Sequence, residues 1–293
     1  MPDAADVLPP DWPNRDASRF VQAGGIRWHV QQMGSGPVLL CLHGTGASTH
    51  SWRSLAPLLA RRFRVVAPDL PGHGFTTVPR PGALSVAGMA AALGELLTEL
   101  GVEPQHVVGH SAGAAIGVRM ALDGALRPRG IVSLNGAMLP LDGVTGLLFA
   151  GAARLLSVAP FASRVLAWHV SRPDVVERLM RDTGSRLDEE GLALYARLAR
   201  QPDHVAAVFD MMANWDLQPL ARDLPRLSCP LLLVVAERDG MVPPSAAVRI
   251  RALVPGATLL RLPGLGHLAH EEAPALLAGH IGDFAAEAAR HAA

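Results

Sequence analysis

The chain has 293 residues, 49% of them hydrophobic, and a formal net charge of zero. That length holds one large α/β domain with an insertion, or two small domains, and the apolar share excludes global disorder. The balanced charge excludes a general attraction to nucleic acid or to an acidic surface, and the lack of any lysine excludes Schiff-base chemistry on that side chain.

The chain in order begins with an irregular arm, residues 1–17, in which Trp12 between prolines is placed to anchor the segment to the body. Met1 to Pro13 is acidic and proline-rich with no apolar run, so no signal peptide is expected and a cytoplasmic location is. Two short strands, Arg19–Ala23 and Ile26–Gln32, flank Gly24-Gly25 as in a hairpin. Pro37–Leu42 is a continuous apolar run, the pattern of a strand covered on both faces. It ends in His43-Gly44-Thr45-Gly46, where glycines let the backbone approach a ligand.

A helix is predicted over Ser51–Arg62 and a strand over Arg64–Ala67. The loop Asp69-Leu70-Pro71-Gly72-His73-Gly74 reads as hydrogen bonding that shapes a turn, not as a site. Ser85 is an N-cap for a helix over Val86–Leu100, stopped by Gly101. Val107-Val108 then runs into Gly109-His110-Ser111-Ala112-Gly113, followed by small helical residues from Ala114 to Ala121. A serine on a sharp strand-to-helix turn needs small neighbours and faces the positive helix end.

Arg129–Leu134 is the next strand, ending in Asn135-Gly136. From 137 to 217 strands vanish and helices are predicted over Gly146–Leu156, Phe161–His169, Pro173–Arg181, Asp188–Gln201 and Val205–Trp215. This is an all-α insertion at strand ends, the place of a lid. The apolar stretch Val144–Val170 is interrupted by Arg154 and Arg164, which excludes a membrane span but fits a greasy lining or a peripheral membrane contact. Candidate pocket residues are His110, Asn135, Met138, Phe149, Trp168, Met212 and Trp215; ordinary core packing explains the apolar ones equally well. Alternation resumes with strand Pro230–Ala236, the loop Glu237-Arg238-Asp239-Gly240, a helix to Val254, strand Thr258–Leu262, the loop through Gly266-His267, and a helix from Ala273 to Ala289. The fold class is therefore α/β: a mostly parallel twisted sheet with helices on both faces, built from 18–136 and 218–293, with the lid at 137–217.

A serine hydroxyl needs a base to take its proton and an acid to orient that base. In a parallel sheet these groups meet only at the carboxyl ends of strands. Ser111, Asp239 and His267 stand at three such ends in the order serine, acid, base. His270, Glu237 and Asp142 are the competitors. The N–H groups of Thr45 and Ala112 are candidate oxyanion donors. Cys41 and Cys229 lie in or beside apolar strands without C-x-x-C spacing, the pattern of buried free thiols. No phosphate loop, dinucleotide fingerprint or metal-ligand cluster is present, so no cofactor and no metal are expected.

On His43-Gly44-Thr45-Gly46, the Gly109–Gly113 pentapeptide, Asp239 before Val242-Pro243, and Gly266-His267, the chain resembles the α/β-hydrolase superfamily from residue 18 onward. That resemblance implies a serine hydrolase acting on an ester, thioester or amide. Haloalkane dehalogenases and epoxide hydrolases share the layout but use a carboxylate, whereas the residue here is Ser111. A C–C hydrolase or perhydrolase uses the same triad. A narrower resemblance rests on Pro10-Asp11-Trp12-Pro13-Asn14-Arg15, His43 to Trp52, Gly109 to Ala115, Leu134-Asn135-Gly136-Ala137 and Met211-Met212-Ala213-Asn214-Trp215-Asp216-Leu217. These look like the BchO type, accessory proteins of magnesium chelatase in bacteriochlorophyll biosynthesis. It implies an apolar small-molecule substrate such as a tetrapyrrole or its ester, or a non-catalytic role binding a porphyrin or magnesium-chelatase subunits.

Overall fold

The computed structural model describes residues 8–78, 83–140 and 172–291. Its strands are β1 Ser18–Ala23, β2 Ile26–Met33, β3 Val38–Leu42, β4 Arg64–Pro68, β5 His106–His110, β6 Gly130–Leu134, β7 Leu231–Ala236 and β8 Ala257–Leu262. They form one eight-stranded sheet in the order β1-β2-β4-β3-β5-β6-β7-β8. β1–β2 and β2–β4 pair antiparallel, and every pair from β4 to β8 is parallel. The loops after β3, β5, β6, β7 and β8 therefore leave from one rim.

The described helices are α1 Leu55–Leu59, α2 Val86–Leu100, α3 Ala112–Leu122, α4 Pro173–Asp182, α5 Glu189–Ala199, α6 Pro202–Ala213, α7 Gln218–Asp223, α8 Pro244–Leu253, α9 Ala269–Glu272 and α10 Pro274–His291. Side-chain alternation sorts the strands between two cores. Leu40 and Leu42 of β3, with Val107 and Ile131, face Met89 and Leu93 of α2 and Ile116 of α3. Leu39 and Cys41, with Val108, Val132 and Val234, face Leu55 of α1 and Leu277 and Ile281 of α10. Both faces of β3, β5 and β6 are thus covered, which is why those strands read as unbroken apolar runs. Each such leucine or valine contributes about 1.5–3 kcal/mol by leaving water.

Local signals explain several boundaries. The Ser85 hydroxyl accepts the Gly88 N–H at 3.1 Å, and Gly101 ends α2 in the left-handed region at φ 61°. The helix expected over Ser51–Arg62 is instead a 3-10 turn, Thr49–Trp52, followed by the short α1. Pro57 has no N–H and is tolerated only in a first turn, so a new helix starts just ahead of it. By the same rule Pro202 opens α6 before the expected Val205. α7 occupies a stretch for which no helix was expected.

Helices α4 to α6 occupy the described part of the insertion between β6 and β7. The helices expected over Gly146–Leu156 and Phe161–His169 lie outside the described residues, as does the apolar stretch Val144–Val170. Among the described residues, no helix is long and apolar enough to cross a membrane. The arm is fastened to the insertion: Leu8 and Trp12 pack with Leu194 and Leu198 of α5. Trp12 meets Phe75 edge-on at 4.8 Å between ring centres, and Asp11 receives two hydrogen bonds from Arg197 at 2.9 and 2.7 Å. Cys41 is fully buried and Cys229 partly; both thiols are free, and burial pushes them up to about 12 and about 11.

Candidate active site

β5 feeds directly into α3 through Ser111, whose backbone sits at φ 51°, ψ −116°. A non-glycine residue there carries about 1–3 kcal/mol of strain, held by its surroundings. The Ser111 N–H donates to the Leu134 carbonyl at 3.0 Å, and its carbonyl accepts from Ala114 at 3.2 Å and Ala137 at 3.1 Å. The flanking glycines are required by close approach. A Cβ on Gly113 would collide with the Leu42 carbonyl, and one on Gly109 with the backbone of Ala114. Ala112 is the first residue of α3, so its N–H has no acceptor within the helix.

The loop after β3 lies against this turn. A Cβ on Gly44 would stand 2.8 Å from His110 Nδ1 and 3.1 Å from Ser111 Cβ. His43 fixes the loop from beneath: its Nε2 accepts the Leu70 N–H at 2.8 Å, so its Nδ1 carries the proton and donates to the Gly44 carbonyl at 2.8 Å. Burial lowers the His43 pKa against the pull of the Asp69 charge, which agrees with a neutral ring. Thr45 is exposed, and its hydroxyl donates to Met211 Sδ at 3.8 Å. His204 of α6 accepts the Gly74 N–H on Nδ1 at 3.1 Å and hydrogen-bonds the Gly46 backbone, so the insertion is tied to this loop.

The acid and the base meet. His267 Nδ1 donates to Asp239 Oδ2 at 2.8 Å, and the side chains are 7% and 1% exposed. The other oxygen, Asp239 Oδ1, accepts the N–H groups of Met241 at 2.7 Å and Val242 at 2.9 Å, which turns the carboxylate toward the ring. Of the competing acids, Glu237 is exposed and donates its N–H back to β8, and Asp142 lies outside the described residues. His270 is buried, its ring 4.4 Å from that of His110 and 4.9 Å from Trp52, and burial together with His267 lowers it to about 3. The His110 and His267 ring centres are 4.7 Å apart, so the base stands beside the residue that precedes Ser111. Among the described hydrogen bonds, none joins the Ser111 hydroxyl to His267.

The expected pocket residues separate into groups. His110 is 2% and Asn135 4% exposed, and their polar atoms serve the base loop. His110 Nε2 donates to the His267 carbonyl at 3.0 Å, and Asn135 Nδ2 to the same carbonyl at 2.8 Å and to that of Gly266 at 3.2 Å. Met138 is buried in the larger core, and Trp215 packs on that core. Met212 is half-buried, and Phe149 and Trp168 lie outside the described residues. Asp69 is a turn-shaping residue: it accepts Thr49 and Phe75 N–H groups at 2.6 and 2.9 Å and pairs with His29 at 2.8 Å. Burial pushes its carboxyl up, and these partners, His29 foremost, outweigh that and hold it well below the usual range. No group of histidine, cysteine, aspartate or glutamate among the described residues is set to hold a metal ion.

Several working residues escaped the sequence reading: His204 in its role beneath Gly46, and Thr183 and Ser185, which touch the base loop. Gly184, one residue past a helix end, was the only local signal for the latter pair.

A mostly parallel sheet, a strained serine between β5 and α3, and an Asp–His pair from the loops after β7 and β8 together define an α/β hydrolase. A family model described as alpha/beta hydrolase fold matches residues 37–274, and the chain belongs to that family. It is 40% identical over 280 residues to the magnesium-chelatase 30 kDa subunit of Rhodobacter capsulatus, covering 95% of this chain and 98% of that protein. It is 28% identical to haloalkane dehalogenase 2 of Mycobacterium tuberculosis, covering 90% of this chain and 93% of the relative. Among solved structures, an alpha/beta hydrolase fold protein from Burkholderia ambifaria superposes with a TM-score of 0.77 at 23% identity, over 92% of this chain and 98% of the other.

Proposed function

We propose that the protein is a serine hydrolase that cleaves an ester, thioester or amide of an apolar small molecule through an acyl-Ser111 intermediate. The observation that carries this reading is the 2.8 Å bond from His267 Nδ1 to Asp239 beside the strained turn that presents Ser111. That bond fixes the tautomer, leaving Nε2 free to take a proton from the Ser111 hydroxyl as it attacks a carbonyl carbon. The charge passing to the carbonyl oxygen is met by the N–H groups of Ala112 and Thr45 and by the positive end of α3. The imidazolium, balanced by Asp239, returns the proton to the leaving group, and water activated by the same ring frees the acid. A fluorophosphonate probe tests this: it should label Ser111, and a folded protein that stays unlabelled and leaves ester substrates untouched rules the reading out.

The likeness to a magnesium-chelatase subunit supports a substrate near magnesium insertion into a porphyrin, with a tetrapyrrole or its ester as the candidate. The same likeness supports a second reading, a non-catalytic subunit that binds a porphyrin or the chelatase. A strain carrying Ser111→Ala separates the two. Loss of magnesium-porphyrin intermediates at normal protein level favours the hydrolase; unchanged pigment favours the binding role.

A further inference from the structure

The chain leaving α4 enters the seam between the acid loop and the base loop. The Thr183 carbonyl accepts two N–H groups at once, from Gly240 at 3.1 Å and from His267 at 3.0 Å. The Ser185 hydroxyl accepts the Leu268 N–H at 2.8 Å. Between them, Gly184 sits at φ +78°, and a Cβ there would collide with the Arg238 carbonyl. A Cβ on Gly266 would in turn collide with the backbone of Gly184 and Ser185. Glu272 closes the arrangement, accepting the Gly266 N–H at 2.8 Å and the Arg186 N–H at 3.1 Å. Thr183 and Ser185 are 8% and 3% exposed, so these bonds are shielded from water.

We propose that Thr183-Gly184-Ser185 is a strap that sets the Asp239–His267 geometry, with Ser185 as a positioning residue, and that it couples the helical insertion to the acid–base pair. The acid loop and the base loop leave adjacent strands, and the Arg238 N–H to Leu265 carbonyl bond at 2.9 Å joins them. The strap joins them again from the insertion, one residue beyond Asp239 and at His267 itself. Any displacement of α4 is transmitted through one carbonyl oxygen to both loops. A misplacement of an ångström between reacting groups costs up to about a hundredfold in rate, so a small shift suffices to turn the pair on or off.

This inference rests on the hydrolase reading for its consequence, but its test does not. The His267 Nδ1–H proton, which the Asp239 bond holds, is followed by nuclear magnetic resonance in the full chain, in the wild type, Ser185→Ala, Ser185→Thr and Glu272→Gln. The titratable groups around that ring are Asp239, His110 and His270. Weakening the strap loosens the Asp239 bond, so the His267 Nδ1–H resonance should move upfield and exchange faster with water in Ser185→Ala and in Glu272→Gln, and return in Ser185→Thr, which keeps the hydroxyl. Fluorophosphonate labelling should slow about tenfold in the same two variants. An unchanged His267 Nδ1–H resonance in every folded variant overturns the strap, whatever the labelling does. A moved Nδ1–H resonance in a protein that the probe never labels upholds the strap and removes the hydrolase reading instead.

Discussion

Asn135 and His267 are joined at 2.8 Å by a side-chain amide donating to a backbone carbonyl, while the other end of that amide, Oδ1, accepts the Ala236 N–H at 2.8 Å. One buried residue at the end of β6 thereby spans the ends of β7 and β8. Its own backbone is left-handed at φ 47°, a conformation asparagine accepts better than most residues. Asn135→Ala should cost about 1–3 kcal/mol, because the Ala236 N–H and the Gly266 carbonyl lose their side-chain partner and the His267 carbonyl loses one of two. Asn135→Asp should cost more, since a carboxylate would face the Gly266 and His267 carbonyls. Urea unfolding midpoints check both.

Ser111 stands in a conformation that glycine adopts freely. Ser111→Gly should abolish probe labelling yet raise stability by about 1 kcal/mol, the released strain less the extra chain entropy of glycine. Ser111→Ala should abolish labelling with no such gain. A thermal melt of the three proteins side by side decides it.

Acid should unfold the protein through its buried imidazoles. Burial lowers His106 and His204 to about 4 and His270 to about 3, and lowers His43, His50, His73 and His110 as well. In the unfolded chain these rings take up protons near pH 6.5, so the unfolded state binds more protons below that point. Their contribution is complete above about pH 6.5 and is lost as pH falls toward 4, by about 1.4 kcal/mol per pH unit for each ring fully titrated in one state only. Glu271, raised to about 7 by burial against the opposing pull of Arg53, works the other way between pH 4.5 and 7 and offsets one ring. Stability measured from pH 7.5 to 4.5 should fall steeply; a flat profile contradicts this account.

Arg53 forms an ion pair with the buried Glu271, reaches Asp188 at 3.0 Å, and shares Glu271 with the Tyr195 hydroxyl, which donates to it at 2.7 Å. Removing the cation strands a carboxylate, so Arg53→Ala should cost about 3–5 kcal/mol near pH 8. The cost should shrink at pH 5, where Glu271 takes a proton. Chemical denaturation at the two pH values measures the difference.

Much of this was legible beforehand, and for local reasons. Ser85 and Gly101 mark α2 because caps are written in single residues. Ser111, Asp239 and His267 could be put forward because each lies past a stretch that reads as a strand, Val107-Val108, Pro230–Ala236 and Thr258–Leu262. What escaped depends on distant backbone. Nothing in the residue types of Thr183 or Ser185 announces that a carbonyl will meet two loops. Gly266 stands in the sequence only as the residue before His267, whereas a side chain there would collide with the strap. Asn135 and His110 read as candidate pocket residues; here Asn135 Nδ2 and His110 Nε2 donate to base-loop carbonyls, and Asn135 Oδ1 accepts from β7. The apolar residues assigned to a pocket could not be told from core by pattern, and Met138 is core.

The packing of Trp12 against α5, with Asp11 on Arg197, gives the first stretch of polypeptide a stake in how α5 is seated. Trimming back to Ser18, or swapping Trp12 for a small residue, would leave every strand intact and yet unfasten α5 from below. Protein engineers wanting a tag or an immobilisation point on this scaffold should keep clear of that joint.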